Sequence, residues 1–244
     1  MPHLTLITVS HRNLPGLVSL FSQIQTALSS DVAWVIKDSG DCQATAAWGA
    51  SIDNINVQFI SEPDKGIYSA LNRSLSECSS EFYLVVGSDD SIEPRAIIAI
   101  GEMIRSGKFA TLDVASFPVM IDGRPFRRKR MRPHFVSVSG LISSHSVGTI
   151  IRRSLHDTAG LYDENYRILA DALFIRRAYQ AGARFRHFEG PTTGSFSLSG
   201  VSSTQHSRRI LEAYSYNVLC GDSPALQAII MMWRIMKNKP LTLI

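Results

Sequence analysis

Short apolar runs alternate with segments of helical spacing along the first half of the chain. Leu4 to Val9 is a compact β-rich run, after which Asn13 caps a helix with Pro15 in its first turn. Leu14, Leu17, Val18, Phe21, Ile24 and Leu28 recur at the spacing of one helix face. Val32 to Ile36 predicts a second strand, ended by the turn-forming Lys37-Asp38-Ser39-Gly40-Asp41. Val57 to Ile60 predicts a third, ended by Ser61-Glu62-Pro63-Asp64-Lys65-Gly66. Ile67, Ala70, Leu71, Ser74 and Leu75 share a helical face, and Phe82 to Val86 is a fourth strand stopping at Gly87-Ser88-Asp89-Asp90. Pro94 then opens a helix backed by Ile97, Ile98, Ile100, Met103 and Ile104. This alternation predicts an α/β fold, with strands paired mostly in parallel and helices on both faces.

The second half is less regular. Val114 to Ile121, the Asp122-Gly123 turn and the basic run after it read as a hairpin. Thr149 to Arg153 is a strand, Ala172 to Gly182 a helix, Phe185 to Phe188 a short strand, and the tail from Gln205 mostly helical. With no internal repeat and no low-complexity linker, residues 1–204 read as one domain, divided near residue 92, and 205–244 as a helical extension.

Composition sharpens this only a little. The 244 residues are 45% hydrophobic, ample for a sizeable core. A net charge of +4 favours anionic partners, and the excess gathers in Arg124, Arg127, Arg128, Lys129, Arg130 and Arg132. Three widely spaced cysteines, Cys42, Cys78 and Cys220, suggest reduced thiols and no zinc site. The N-terminus lacks the basic region of a signal peptide, and Ala225 to Met236 is interrupted and too short to span a bilayer. A cytoplasmic protein, either free or resting on the inner face of a membrane, is the expectation.

In parallel α/β sheets ligands bind beyond the carboxyl ends of the strands. Ser10, Asp38, Asp64 and Asp89-Asp90 all fall just past a strand end, so four strands bring hydroxyl or acidic groups to one sheet edge. Adjacent carboxylates such as Asp89 and Asp90 repel one another unless a cation sits between them. Oxygen ligands suit Mg2+ or Mn2+, which also bind diphosphate oxygens. Taken alone, the pair reads equally well as a Ser-Asp-Asp turn.

The string from Ser61 to Arg73, SEPDKGIYSALNR, resembles the SEPDxGIYDAMNKG signature of family 2 glycosyltransferases, closest to the branch of colanic-acid and other exopolysaccharide enzymes. Val85-Val86-Gly87-Ser88-Asp89-Asp90 stands where that family carries its DxD-like motif. Gly160-Leu161-Tyr162-Asp163-Glu164, and Asp171 with Arg176, are similar to its G-x-F-D-E and D-x-x-x-x-R patterns. The resemblance spans roughly residues 4 to 200. It implies a GT-A fold (a Rossmann-like, mostly parallel sheet flanked by helices), a UDP- or GDP-sugar donor, a divalent metal and inversion at the anomeric carbon. Residues 1–92 then form the nucleotide-binding half and 93–204 the acceptor half. By the same resemblance Thr8, Val9 and Ser10 line the nucleotide pocket, and Asp38 accepts hydrogen bonds from base or ribose. Asp64, with Lys65 helping to place its loop, contacts the nucleotide; Asp89 faces ribose or sugar; and Asp90 binds the metal. Asp171 matches the general base. Ser69 and Ala170 stand where the family commonly has Asp and Glu, which leaves Asp171 as the single candidate base.

Other features leave alternatives open. Asp171 equally reads as a helix cap. His145 and His187 are candidates for diphosphate or acceptor contact, or structural histidines. The run containing Arg127, Arg128 and Arg130 reads as a phosphate-binding patch for a lipid-linked saccharide acceptor or an anionic membrane surface, or as a solvated hairpin face. No nucleic-acid-binding pattern accompanies it. Ala225, Ile229, Ile230, Trp233 and Met236, with Arg234, Lys237 and Lys239, make a basic amphipathic helix for a membrane, the domain or a second subunit. The rival functions are a nucleotidyltransferase, disfavoured because Ser10-His11-Arg12-Asn13 holds no glycine, and a non-catalytic polyanion-binding module.

Overall fold

The computed structural model describes residues 2–121, 123–126, 138, 141–142, 145–196 and 205–237. Its first half runs β1 (Leu4–Ser10), α1 (Leu14–Ile24), β2 (Val32–Asp38), α2 (Gln43–Ala50), β3 (Val57–Ser61), α3 (Ile67–Glu77), β4 (Phe82–Val85), β5 (Ser91–Ile92) and α4 (Pro94–Arg105). The strands β6 (Val114–Ser116), β7 (Met120–Ile121), β8 (Arg124–Pro125) and β9 (Thr149–Arg152) follow. After them come α5 (His156–Ala159), α6 (Ala170–Gln180), β10 (Phe185–His187), β11 (Gly194–Phe196), α7 (His206–Leu219) and α8 (Pro224–Lys237).

Seven strands form one sheet in the order β10-β6-β9-β4-β1-β2-β3. Every pairing in it is parallel except those of β9, which runs antiparallel between β4 and β6. Both faces are covered, so β1 and β2 are buried almost throughout, as unbroken apolar strands should be. Alternation divides their side chains. Leu4, Leu6, Trp34 and Leu84 pack with Leu17, Leu20 and Ile24 of α1 and Ile97 and Ile100 of α4. Ile7 and Tyr83 face the opposite core with Tyr68, Leu71 and Leu75 of α3 and Leu173 and Phe174 of α6.

A smaller sheet, β5-β11-β7-β8, stands beside the first. The hairpin expected from Val114 onward is corrected here. Val114–Ser116 joins the large sheet, and only Met120–Ile121 and Arg124–Pro125 pair as a hairpin, in the small one. Pro118 lies between the two pieces and has no N–H for a continuous ladder. The first helix ends at Ile24 rather than Leu28, which packs against the core from the following turn.

The tail forms two helices. α7 docks on α6 and the segment before it, through Tyr166–Ser215 (3.0 Å) and Gln180 to the Cys220 carbonyl (2.6 Å). The nearly buried Arg176 pairs with Asp222 at 3.0 Å. α8 turns only Gln227 fully inward, where it accepts from Asn217, and leaves Ile229, Met232, Trp233 and Met236 exposed. No helix among the described residues is long and apolar enough to cross a membrane.

Candidate active site

Chain direction across the sheet reverses at β1, whose neighbours are β2 on one side and β4 on the other. A crevice must open at such a point beyond the carboxyl ends of the strands. A cleft of about 550 Å³ lies there, lined by Val9 from β1 and Val85, Gly87, Ser88, Asp89 and Asp90 from β4 and its loop. Tyr68 of α3, His145 and Asp171 line the same cleft.

At the β1–β2 side the strand ends Ser10 and Asp38 stand in register. Asp38 is fully buried; its Oδ2 accepts the Gly40 N–H at 2.9 Å, while Oδ1 has no protein partner. Ser10 Oγ is buried and unpartnered as well. Buried polar atoms are nearly always satisfied, so two orphans side by side at a strand edge suit a ligand that brings donors and acceptors. Thr8 departs from expectation. It is fully buried and its hydroxyl accepts the Trp34 indole N–H at 2.9 Å, so its side chain belongs to the core.

Asp64 sits at the end of the third strand's loop with both oxygens engaged. Oδ1 accepts from the Gly66 N–H at 2.9 Å and Oδ2 from Lys37 Nζ at 3.2 Å. Lys37 is 1% exposed and also donates to the carbonyls of Asp38 (2.7 Å) and Glu62 (2.5 Å). One buried ammonium thus ties the end of β2 to the Asp64 loop. In the sequence Lys37 stands as a turn residue at the end of an apolar run. Its signal is a lysine continuing a strand that is buried on both faces. The neighbouring Lys65 is exposed.

The Asp89-Asp90 loop folds back tightly on Gly87, whose N–H donates to Asp90 Oδ2 at 2.8 Å. A β-carbon at Gly87 would lie 2.7 Å from Asp89 Oδ1 and 2.9 Å from Asp90 Oδ2, so any side chain there would push both carboxyls out of this arrangement. Burial first, then the Asp89 charge, raise the Asp90 carboxyl to about 6 against the Gly87 hydrogen bond. Asn13 locks the loop to α1: its Oδ1 accepts from Gly16 N–H (3.1 Å) and its Nδ2 donates to Ser88 Oγ (3.0 Å). His145 stacks on Phe196 with ring centroids 3.7 Å apart. Burial lowers its imidazole to about 4, so it lines the cleft as a neutral ring. His187 does not line the cleft; it contacts Ser116 Oγ at 3.3 Å on β10.

Asp171 is the second residue of α6. Its Oδ1 accepts from the Ala172 N–H at 2.8 Å and from the Tyr68 hydroxyl at 3.2 Å, which leaves Oδ2 available to the cleft. The side chain is open to the cleft yet surrounded by protein. That enclosure is the main reason its carboxyl is raised above the ordinary range. Behind it, Asn72 exchanges two hydrogen bonds with the Tyr162 backbone, at 2.9 and 3.0 Å, joining α3 to the Gly160–Glu164 segment. His156 Nδ1 donates to the Gly160 carbonyl at 3.0 Å, so Nε2 accepts from Tyr83 Oη at 2.8 Å. Tyr83 Oη in turn accepts from Tyr162 Oη at 2.8 Å.

The structure therefore brings Val9, Asp89, Asp90, His145 and Asp171 into one cleft, with Ser10, Asp38 and Asp64 at the adjoining strand ends. Arg127, Arg128 and Arg130 lie outside the described residues. Among the described residues no group of three or more His, Cys, Asp or Glu side chains could hold a metal alone. Two carboxylates can supply one or two oxygens, the share a protein gives Mg2+ or Mn2+ when substrate phosphates and water complete the shell.

No family model matches the chain. The chain is similar to an uncharacterized glycosyltransferase of Mycobacterium tuberculosis, 24% identical over 192 residues, covering 72% of this chain and 69% of that protein. Among solved structures it is similar to S. aureus TarS 1-349 in complex with UDP-GlcNAc. The TM-score is 0.69 at 16% identity, over 98% of this chain and 74% of that one. It is also similar to the mannosyltransferase PcManGT from Pyrobaculum calidifontis in complex with GDP-Man and Mn2+. There the TM-score is 0.64 at 13% identity, over 98% and 76% of the two chains. At these identities the likeness is one of fold, and the fold is that of GT-A glycosyltransferases.

Proposed function

We propose that this GT-A-fold chain is a glycosyltransferase that uses a divalent metal and a UDP- or GDP-sugar. It transfers the sugar, with inversion, to a hydroxyl of a saccharide or lipid-linked saccharide. The observation that carries the reading is the meeting of Asp89-Asp90 and Asp171, from separate elements, in one cleft at the β1–β4 crevice. The named glycosyltransferases that share the fold, in complexes with UDP-GlcNAc or with GDP-Man and Mn2+, support the donor class.

The roles divide by chemistry. The unpartnered Ser10 Oγ and Asp38 Oδ1 receive the nucleoside, with Asp38 accepting an N–H or O–H from base or ribose. The Lys37-held Asp64 loop closes that side. Asp90 holds the metal and Asp89 faces ribose or sugar. When bound, Mn2+ or Mg2+ neutralises charge on the departing diphosphate. Asp171 Oδ2 takes the proton of the acceptor hydroxyl as that oxygen attacks the anomeric carbon, and a carboxylate raised by enclosure is the stronger base for it. The neutral His145–Phe196 pair adds an apolar wall.

Calorimetric titration of UDP-GlcNAc and GDP-mannose, each with Mn2+ and with EDTA, tests the reading. One donor should bind, and more tightly with the metal. Failure of both in Mn2+ sinks it.

A further inference from the structure

Glu212 stands on α7, in no motif that the sequence offers. Its Oε1 accepts the Arg167 N–H, and its Oε2 accepts both the Ile168 and Leu169 N–H groups, each at 2.9 Å. These donors lead directly into α6, whose N-cap position is Leu169 with no side-chain cap of its own. Helix starts leave N–H groups unsatisfied, and a nearby Ser, Thr, Asp or Asn normally accepts from them. Of the three donors only the Leu169 N–H belongs to that start, Arg167 and Ile168 preceding it; their acceptor comes from a different helix, at the end of α6 where a negative charge is favoured.

That cap is joined to Asp171 by a short path. The Ile168 residue held by Glu212 presents its carbonyl to the Tyr68 hydroxyl at 2.6 Å, and the same hydroxyl reaches Asp171 Oδ1 at 3.2 Å. We propose that Glu212 is a positioning residue for Asp171, fixing the start of α6 and the Tyr68 contact, so that docking of the C-terminal helices completes the acceptor wall. The proposal rests on Asp171 acting as the base.

The charges around Asp171 agree with this arrangement. Tyr68 of α3, Tyr162 before α6 and Tyr216 of α7 are phenols that burial holds above their ordinary range, so they stay neutral. Glu212 is the like charge that adds to enclosure in raising Asp171. Arg208, 3.5 Å from Glu212 Oε1, also lines the cleft.

Glu212→Gln, isosteric and uncharged, tests the proposal in the full-length protein, alongside Glu212→Ala. Three quantities are read. They are the Asp171 carboxyl midpoint by carbon-13 NMR, amide exchange at residues 167–169, and UDP or GDP release from UDP-GlcNAc or GDP-mannose with Mn2+. In Glu212→Gln the midpoint should fall, exchange should quicken by about tenfold, and release should drop about ten- to a hundredfold at unchanged donor KM. An unmoved midpoint with unchanged exchange overturns the proposal. Lost release with an unmoved midpoint overturns it too, because a merely structural role predicts that pattern. If Glu212→Ala does not fold, the Gln variant still decides. Asp171→Asn separates the two levels: if it leaves release intact the base assignment fails, whereas abolished release with an inert Glu212→Gln fails Glu212 alone.

Discussion

Lys37 Nζ lies 3.2 Å from Asp64 Oδ2 while its side chain is 1% exposed, and its other contacts are two backbone carbonyls. Removing one partner of a buried ion pair strands the other. Lys37→Met should therefore cost about 3 kcal/mol of stability in urea unfolding. The same change should loosen the Asp64 loop and weaken nucleotide binding. A variant as stable as the parent would mean that the loop does not depend on the ammonium.

Asp38 presents the opposite case: its Oδ2 accepts from the Gly40 N–H, but its buried Oδ1 has nothing in the protein to accept from. Asp38→Ala should cost the free protein only the Gly40 hydrogen bond, about 1 kcal/mol. Its affinity for UDP or GDP should fall about tenfold to a hundredfold, the worth of a hydrogen bond to a charged group. Isothermal titration in EDTA isolates this effect from the metal. Equal affinities would place the nucleoside elsewhere.

Asp90→Asn should abolish the difference between nucleotide affinity in Mn2+ and in EDTA. If the parent protein binds UDP and GDP equally in both, the metal role fails before any variant is made. The variant should also melt at least as high as the parent without metal, since it removes a carboxylate that burial disfavours.

For Asp171→Asn, donor binding should persist while transfer, read as nucleotide diphosphate release in the presence of acceptor, falls about a hundredfold to ten-thousandfold. Retained turnover rejects Asp171 as base.

His156 gives a pH dependence of stability. Burial lowers its imidazole below the ordinary value of 6.5, outweighing the Gly160 carbonyl that favours the charged form. The unfolded chain then binds a proton that the folded chain refuses, so stability is full above pH 6.5 and is lost as pH falls below it. His145, lowered to about 4, adds the same sign, whereas Asp90, raised to about 6, and Asp171, also raised by enclosure, oppose both as pH falls. Between pH 7.5 and 5 the unfolding midpoint of the parent should lose ground relative to that of His156→Phe, which starts from a lower midpoint because Tyr83 and Gly160 lose a partner. Parallel curves would remove His156 as a source of the slope.

The strand ends were legible because a sheet covered on both faces writes each strand as an apolar run with polar residues where it stops. Ser10, Asp38, Asp64 and Asp89-Asp90 stand at or just past such stops. Other parts left weaker marks. α2 buries Thr45 and Gly49, and a β-carbon at Gly49 would fall 2.2 Å from the Phe59 ring, so its inward face is small rather than apolar. The strands of the second sheet are two or three residues long, too short to show alternation. Glu212 was invisible because its partners lie at residues 167–169, on a segment that only the fold brings near.

The antiparallel β9 has a practical consequence for engineering. It fills the place between β4, from the amino-terminal 92 residues, and β6, so one hydrogen-bonded sheet runs through both halves of the chain. A chimera joined at residue 92, made to exchange acceptor preference, would have to rebuild the β4–β9 seam and the Asn72–Tyr162 exchange together. Grafting is more promising along the short strands at Met120–Ile121 and Arg124–Pro125, where a replaced loop interrupts no ladder of the large sheet.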